Sequence, residues 1–238
     1  MAWKNTIEKI GWVVVILLVF VGLTSIVGRL YVVVGTMLDA SFIESDPTSF
    51  DGRYNVNPVL TLSHLVPGFL FMLLGPFQFI KNVRAKWIQL HRWSGRVFIV
   101  SSLIAGVAAL VVTVRLPVFG NLSALVGVTL FGTIFLFALL KAYFHIRKRE
   151  IAQHREWMIR AFALGLGIAT FRVQLIFLQS FTDYGFVEIW DTVAWFGFAT
   201  NLIVAEIWIN LSRGGVKNSK AQPQMELPSS LPQPSAQP

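Results

Sequence analysis

Residues 11–34 read GWVVVILLVFVGLTSIVGRLYVVV, an apolar run of 24 residues interrupted by a single charge, Arg29. A helix needs roughly 20 mainly apolar residues to cross the hydrocarbon core of a bilayer, which is about 30 Å thick. The run is also longer than the roughly 7–15 residues of a signal-peptide core, so we interpret it as a retained anchor. The stretch therefore predicts a membrane-spanning α-helix.

Five further apolar stretches have the length of a span. They cover residues 59–80, 97–114, 122–144, 158–178 and 192–210. The predicted fold is an all-α polytopic membrane bundle of six transmembrane helices over residues 1–213. Residues 214–238 are rich in Pro, Ser and Gln, a composition typical of disorder, and they are predicted to form a disordered tail.

The composition favours a membrane protein and excludes several other classes. Of 238 residues, 55% are hydrophobic and 13% are charged, whereas a soluble domain has about 25% charged residues. This deficit of charge excludes an ordinary soluble domain, a disordered chain and a coiled coil. The chain has no cysteine, which excludes disulfides, iron–sulfur clusters and thiolate-bound metals.

Basic residues concentrate on one side of the predicted bundle. Of 20 Lys and Arg residues, 16 fall in alternate segments: Lys4, Lys9, Lys81, Arg84, Lys86, Arg92, Arg96, Lys141, Arg147, Lys148, Arg149, Arg155, Arg160, Arg213, Lys217 and Lys220. The opposite loops hold two arginines and seven acids: Arg53, Arg115, Asp39, Glu44, Asp46, Asp51, Asp183, Glu188 and Asp191. Cytoplasmic loops carry the excess of positive charge, so both termini are predicted to be cytoplasmic. Because the basic residues flank spans and form no separate module, we expect membrane lipids as partners and no nucleic acid.

Among the polar side chains inside predicted spans we single out four ionisable ones, because ionisable groups there are costly and indicate candidate functional sites. They are Arg29, His64, Arg172 and Glu206. With a rise of about 1.5 Å per residue, His64 lies roughly 7–8 Å from the outer end of its span and Arg172 roughly 9 Å from the outer end of its own. Arg29 lies in the last third of the first span. His64, Arg172 and Arg29 are therefore predicted to share an outer-leaflet depth and to form a pocket for a small anionic or amphipathic ligand.

Each of these three residues also has a structural explanation. Arg29 can extend outward to an acidic loop residue or to lipid phosphate, and His64 can form an interhelical hydrogen bond. Arg172 can pair with backbone carbonyls. The second span provides a source of them, because Pro67 and Pro76 lack the N–H that would bond a carbonyl one turn earlier.

Two segments at predicted cytoplasmic boundaries resemble each other. Residues 91–96 read HRWSGR and open the third span, and residues 154–160 read HREWMIR and open the fifth. Each segment combines His-Arg with a Trp and a boundary Arg, and each follows a predicted pair of spans. This arrangement suggests an internal repeat of helix pairs. Trp and Arg are typical of span ends, whereas His91 and His154 are not explained by topology.

Together, these two motifs, the intramembrane His64 and the Arg172 of the tripeptide TFR resemble an uncharacterised bacterial family of multi-span membrane proteins, the domain of unknown function 2306. The resemblance covers roughly residues 60–180. It implies a multi-pass protein of the cell membrane, in bacteria the inner membrane. It makes His64, His91, His154 and Arg172 signature positions without assigning them a role.

Three functional hypotheses remain open. The bundle binds or moves a small ligand in the outer pocket; His91 and His154 bind haem b as facing ligands from two helices; or these histidines form a zinc or iron site with Glu150 or Glu156. Two observations disfavour the histidine hypotheses: the histidines lie outside the membrane boundary, and the surrounding basic residues repel cations. The sequence leaves open whether the protein is an enzyme and which oligomeric state it adopts.

Overall fold

A computed structural model describes the backbone of residues 2–39, 52–116 and 120–220, and the side chains of residues 6–39, 52–116 and 120–213. All regular structure within these ranges is helical. The helices are α1 (Ala2–Leu38), a 3-10 turn (Gly52–Asn55), α2 (Pro58–Phe79), α3 (Lys81–Lys86), α4 (Ile88–Arg115), α5 (Leu122–Arg147), α6 (Ile151–Phe181) and α7 (Phe186–Lys220).

Six of these helices are long and apolar enough to cross a membrane, which confirms the predicted all-α, six-span fold. The spans are Thr6–Leu38, Pro58–Phe79, Ile88–Arg115, Leu122–Arg147, Ile151–Phe181 and Phe186–Arg213. The acidic loop residues Glu44, Asp46 and Asp51, and residues 221–238 of the predicted tail, lie outside the described ranges. The backbone of α7 continues to Lys220, past the predicted end of the bundle at residue 213.

Several helices begin earlier than hydropathy indicates. The helix α4 begins at Ile88 and α6 at Ile151, well before the apolar stretches that start at residues 97 and 158. The early turns contain the two His-Arg motifs. An apolar run ends at its first charged residues, whereas the i→i−4 backbone hydrogen bonds continue through them. The motifs are therefore helical.

Five of the spans form a ring. The helix α1 packs against α2 and α6, α2 against α4, α4 against α5, and α5 against α6; α7 packs outside this ring, against α5 and α6. Side chains connect α2 and α6. Phe71 of α2 lies against Gly165, and Phe162 of α6 lies against Gly75, each where a glycine leaves room for the ring.

Aromatic side chains fill the centre of the ring. Phe71 stacks on Phe98 with ring centroids 5.0 Å apart, and it lies 5.7 Å from both Phe135 and Phe162. Phe71, Phe98 and Phe162 are buried in a cluster that continues to Met158. Buried aromatic rings contribute large apolar areas, so this cluster holds together helices from both halves of the chain.

The two ends of the bundle differ in charge. We call the end that carries Arg96 and Arg160 the basic end, and the end that carries Asp183, Glu188 and Asp191 the acidic end. The charge pattern predicts that the basic end faces the cytoplasm. The aromatic cluster lies toward the basic end, and the polar residues that the sequence singled out in α1, α2 and the second half of α6 lie toward the acidic end.

Candidate functional site

A cavity of about 520 Å³ lies inside the helix ring, between the aromatic cluster and the acidic end. Its walls come from α1, α2, α4, α5, α6 and α7, and from the 3-10 turn. Phe71 and Phe135 form its floor toward the basic end, and Phe131, Phe171 and Phe198 are among its apolar wall residues. The volume falls within the range of about 300–1,000 Å³ that is typical of small-molecule sites.

The structure brings together all three residues predicted for the outer pocket. His64 from α2, Arg172 from α6 and Arg29 from α1 line the same cavity. His64 and Arg172 are close enough to interact electrostatically, as are Arg172 and Arg29. Helix rise predicted their similar depth, and the packing of α1, α2 and α6 around one cavity places them together.

His64 forms an interhelical hydrogen bond, which is the structural role that the sequence offered as an alternative to ligand binding. Its Nδ1 donates to the backbone carbonyl of Ala105 in α4, at 2.9 Å. Because a carbonyl only accepts, Nδ1 must carry the proton, and in the neutral ring Nε2 is then a hydrogen-bond acceptor. The bond orients the imidazole and leaves Nε2 available to accept a second hydrogen bond.

Arg172 has no hydrogen bond and no carboxylate partner among the residues that the structure describes. Its charge interacts with the phenol of Tyr54 and with the like charge of Arg29. The pairing with backbone carbonyls that was its structural alternative is not formed among the described residues, although Pro67 and Pro76 lie inside α2 and cannot donate to the carbonyls one turn earlier. Arg172 thus presents a guanidinium in the wall of a largely apolar cavity.

Two residues of the 3-10 turn complete the polar end of the cavity, and the sequence did not indicate them. The guanidinium of Arg29 lies 4.3 Å from the centroid of the Tyr54 ring, and that of Arg53 lies 4.7 Å from it. Arg53 also donates to the Tyr54 hydroxyl at 2.7 Å, and the Tyr54 carbonyl accepts from Thr61 at 2.8 Å. Tyr54 therefore lies between arginines from two parts of the chain.

The intramembrane Glu206 belongs to the interface between α6 and α7 and not to the cavity. Arg160 of α6 donates to both of its carboxylate oxygens, at 2.5 and 3.0 Å. Arg213 of α7 forms a second two-pronged pair with Glu156 of α6. A bidentate pair fixes both side chains, so these four residues align the two helices at the basic end.

The structure gives no support to a three-ligand metal site. Among the described residues, no group of three or more His, Asp or Glu side chains could hold a metal ion. Glu156 is paired with Arg213, and Glu150 accepts from His145 at 2.5 Å. Both carboxylates proposed as ligands are thus bound elsewhere.

The haem hypothesis stays a prediction without structural support. His154 donates from Nδ1 to the Ala142 carbonyl of α5 at 2.9 Å, which is the interhelical bond of a structural histidine. His91 is close enough to His154 for an electrostatic interaction, and its Nδ1 is buried with no hydrogen-bond partner in the described part of the chain. Neither histidine lines the cavity inside the ring.

These features define a class: an all-helical, multi-pass membrane protein whose ring of helices encloses an apolar cavity with basic groups at one end. The family model described as "Predicted membrane protein (DUF2306)" matches residues 61–209, which is more than half of the chain. The chain therefore belongs to this family, as the motifs around His64, His91, His154 and Arg172 indicated. No curated protein and no solved structure was found to match it.

Proposed function

We propose that the protein binds an amphipathic molecule with an anionic head group, a phosphate or a carboxylate, inside the ring of helices. One observation supports this proposal most strongly: the Arg172 guanidinium lines a largely apolar cavity and has no hydrogen-bond or carboxylate partner in the part of the chain that the structure describes. Charged groups within a membrane span are costly and are normally paired. An anionic ligand would supply the missing partner.

The polar end of the cavity has the chemistry that such a head group needs. A guanidinium is always charged, and its planar fork donates two parallel hydrogen bonds to a phosphate or a carboxylate. Arg172, Arg29 and Arg53 supply three guanidinium groups around Tyr54. His64 adds an acceptor at Nε2, which suits a head group that keeps one proton or hydroxyl.

The rest of the cavity fits an apolar body. Its surface toward the basic end is built from phenylalanine, leucine and small residues of α4, α5 and α6. An apolar ligand tail that covers this surface would remove it from water, which favours binding by roughly 25 cal/mol per Å² of buried apolar surface. The arrangement therefore places the tail of the ligand toward Phe71 and Phe135, and the head group toward the acidic end.

Equilibrium binding of a matched set of 12-carbon amphiphiles tests the proposal. The protein is reconstituted in nanodiscs of neutral phosphatidylcholine, and binding of radiolabelled dodecyl phosphate is measured. Unlabelled dodecanoate and dodecyltrimethylammonium serve as competitors. We expect competition by the carboxylate and none by the cation; the relative affinities of the phosphate and the carboxylate identify the head group.

Three arginine variants locate the site. Arg172→Lys keeps the charge but loses the fork, and we expect about tenfold weaker binding, which corresponds to about 1.4 kcal/mol. Arg172→Ala should weaken binding further. Arg115→Ala removes an exposed arginine near the acidic end and should leave the affinity within about twofold. Equal affinity of wild type and Arg172→Ala, or equal competition by the cation, would contradict the proposal.

A further inference from the structure

The second and third spans share a pattern with the fourth and fifth. Gly68 and Phe71 of α2 recur as Gly132 and Phe135 of α5, each 64 residues further along the chain. At the same offset, the motif W-x-x-R-x-F of residues 93–98 in α4 recurs at residues 157–162 in α6. The correspondence needs no insertion or deletion between the two helix pairs.

The recurring residues make the same local contacts in both pairs. The guanidinium of Arg96 lies 4.9 Å from the centroid of the Trp93 ring, and that of Arg160 lies 4.7 Å from the Trp157 ring. Both pairs run in the same order, from the acidic end to the basic end and back. They therefore form two parallel repeats, an organisation known in transporters, where the substrate site lies between the repeats.

The cavity lies between these two repeats, which we call hairpin A (α2 and α4) and hairpin B (α5 and α6). Gly68 of hairpin A and the equivalent Gly132 of hairpin B both line it. Arg172 is contributed by hairpin B and His64 by hairpin A. The binding groups of the proposed site are thus divided between the repeats.

Four repeat-related phenylalanines close the cavity toward the basic end. Phe71 meets its counterpart Phe135 at 5.7 Å, and Phe98 meets its counterpart Phe162 at 6.5 Å. We call these four residues the phenylalanine gate. Between α2 and α6 the closure depends on side chains, since Phe71 and Phe162 pack against glycines of the facing helix. This seam can separate without breaking backbone hydrogen bonds.

A polar pair lies beyond the gate. His91 and His154 precede Phe98 and Phe162 by about two helical turns, roughly 10–12 Å toward the basic end. They interact electrostatically, and Nδ1 of His91 is buried with no hydrogen-bond partner among the described residues. Polar groups therefore lie on both sides of the gate.

We propose that the protein is a carrier, in which hairpins A and B move against each other so that the cavity opens alternately toward each end. The structure is the form closed toward the basic end, with the phenylalanine gate shut. This inference rests on the proposed binding of an anionic amphiphile. Opening toward the basic end would separate Phe71 from Phe135 and Phe98 from Phe162.

Thiol accessibility tests the movement without any ligand. The chain has no cysteine, so Ala109→Cys introduces a unique thiol on the cavity wall. A membrane-impermeant maleimide is applied in separate experiments to each side of sealed vesicles. We expect labelling from the acidic side and slower labelling from the basic side. Ala205→Cys, at a buried position of α7 away from the cavity, should stay unlabelled from both sides.

A variant of the phenylalanine gate provides the second part of this test. Phe135→Ala, combined with Ala109→Cys, should raise labelling from the basic side about tenfold. Phe177→Ala, which removes an exposed ring of α6, should not change it. If Ala109→Cys is never labelled from the basic side and Phe135→Ala has no effect, the protein is not a carrier. If Ala205→Cys is labelled as fast as Ala109→Cys, the reagent enters because the whole bundle is loosened, and the inference is also overturned.

Dodecyl phosphate binding, measured on the same samples, separates the two proposals. Binding without labelling from the basic side refutes the carrier and leaves a static site. Labelling controlled by the gate without binding refutes the anionic amphiphile and leaves a carrier whose substrate has another chemistry.

Discussion

At the scale of a single residue, His64 connects two helices and lines the cavity of the proposed site. Its Nδ1 bond to the Ala105 carbonyl connects α2 to α4, and Nε2 is left as an acceptor. A helix carbonyl that already accepts one backbone bond gains a second donor here. The ring is thus held in one orientation beside Arg172, which is the condition for a preorganised site.

Replacing His64 by leucine should destabilise the protein modestly. His64→Leu keeps similar bulk and removes the donor, so we expect a loss of about 1 kcal/mol, the usual net contribution of one hydrogen bond. Thermal unfolding in detergent measures it as a lower midpoint. Ser180→Ala removes a local bond on an exposed position of α6 and serves as the control. An unchanged midpoint for His64→Leu would mean that the bond to Ala105 does not contribute.

At this scale the sequence predicted part of the polar lining of the cavity. His64, Arg172 and Arg29 could be assigned to one depth, because depth along a helix follows from residue number; that they line one cavity depends on helix packing, which residue number does not give. Arg53 and Tyr54 could not, because they precede α2 in a connecting segment, and only tertiary structure places that segment against the end of α1. Loop residues carry no periodicity that reports where they fold back.

At the scale of helices, α6 and α7 are aligned by a ladder of polar contacts. Asn201 donates to the Ala163 carbonyl at 3.0 Å and accepts from Thr170 at 2.9 Å. The pairs that Arg160 and Glu156 form with α7 continue the ladder toward the basic end. Interhelical polar contacts of this kind contribute about 0.6 kcal/mol each on average. Glu206 is therefore part of the contact between α6 and α7, although its position inside a span had made it a candidate functional residue.

Reciprocal packing of phenylalanine on glycine connects α2 with α6 and gives a second prediction. A Cβ at position 165 would overlap the ring of Phe71, so Gly165→Ala should cost about 1–3 kcal/mol through overpacking. Gly11→Ala in α1 meets no atom within 4 Å and should stabilise by up to about 1 kcal/mol through helix propensity. Thermal midpoints of the two variants check this. If Gly165→Ala is the more stable of the two, the packing between α2 and α6 is not as described.

Hydropathy predicted the number of spans correctly but could not predict which helices are neighbours. Apolar content distinguishes membrane from water, and in a bilayer it does not distinguish a lipid-facing side from a protein-facing one. Most faces of α1 are apolar and exposed to the surroundings, whereas α6 has neighbours on several sides. That difference depends on small residues such as Ala161 and Ala169, which are fully buried.

At the scale of the whole molecule, the charge asymmetry predicts the orientation. Basic residues flank one end of the bundle, so both termini should be cytoplasmic. A reporter that is active only in the cytoplasm, fused after Arg213, should be active. A reporter that needs export, fused at the same position, should be silent. The opposite pattern would mean that the acidic end of the bundle, with the polar end of the cavity, faces the cytoplasm.

We propose above all that the cavity inside the ring binds an anionic amphiphile with its tail toward the phenylalanine gate. Photolabelling tests it most directly, with a dodecyl phosphate that carries a diazirine at the end of its chain, followed by peptide mass spectrometry. We expect labels on residues 131–135 of α5 and on Ala109 of α4, and a strong decrease of both in Arg172→Ala. Labels spread over lipid-facing residues such as Val107 and Ile203, unchanged in Arg172→Ala, would contradict it.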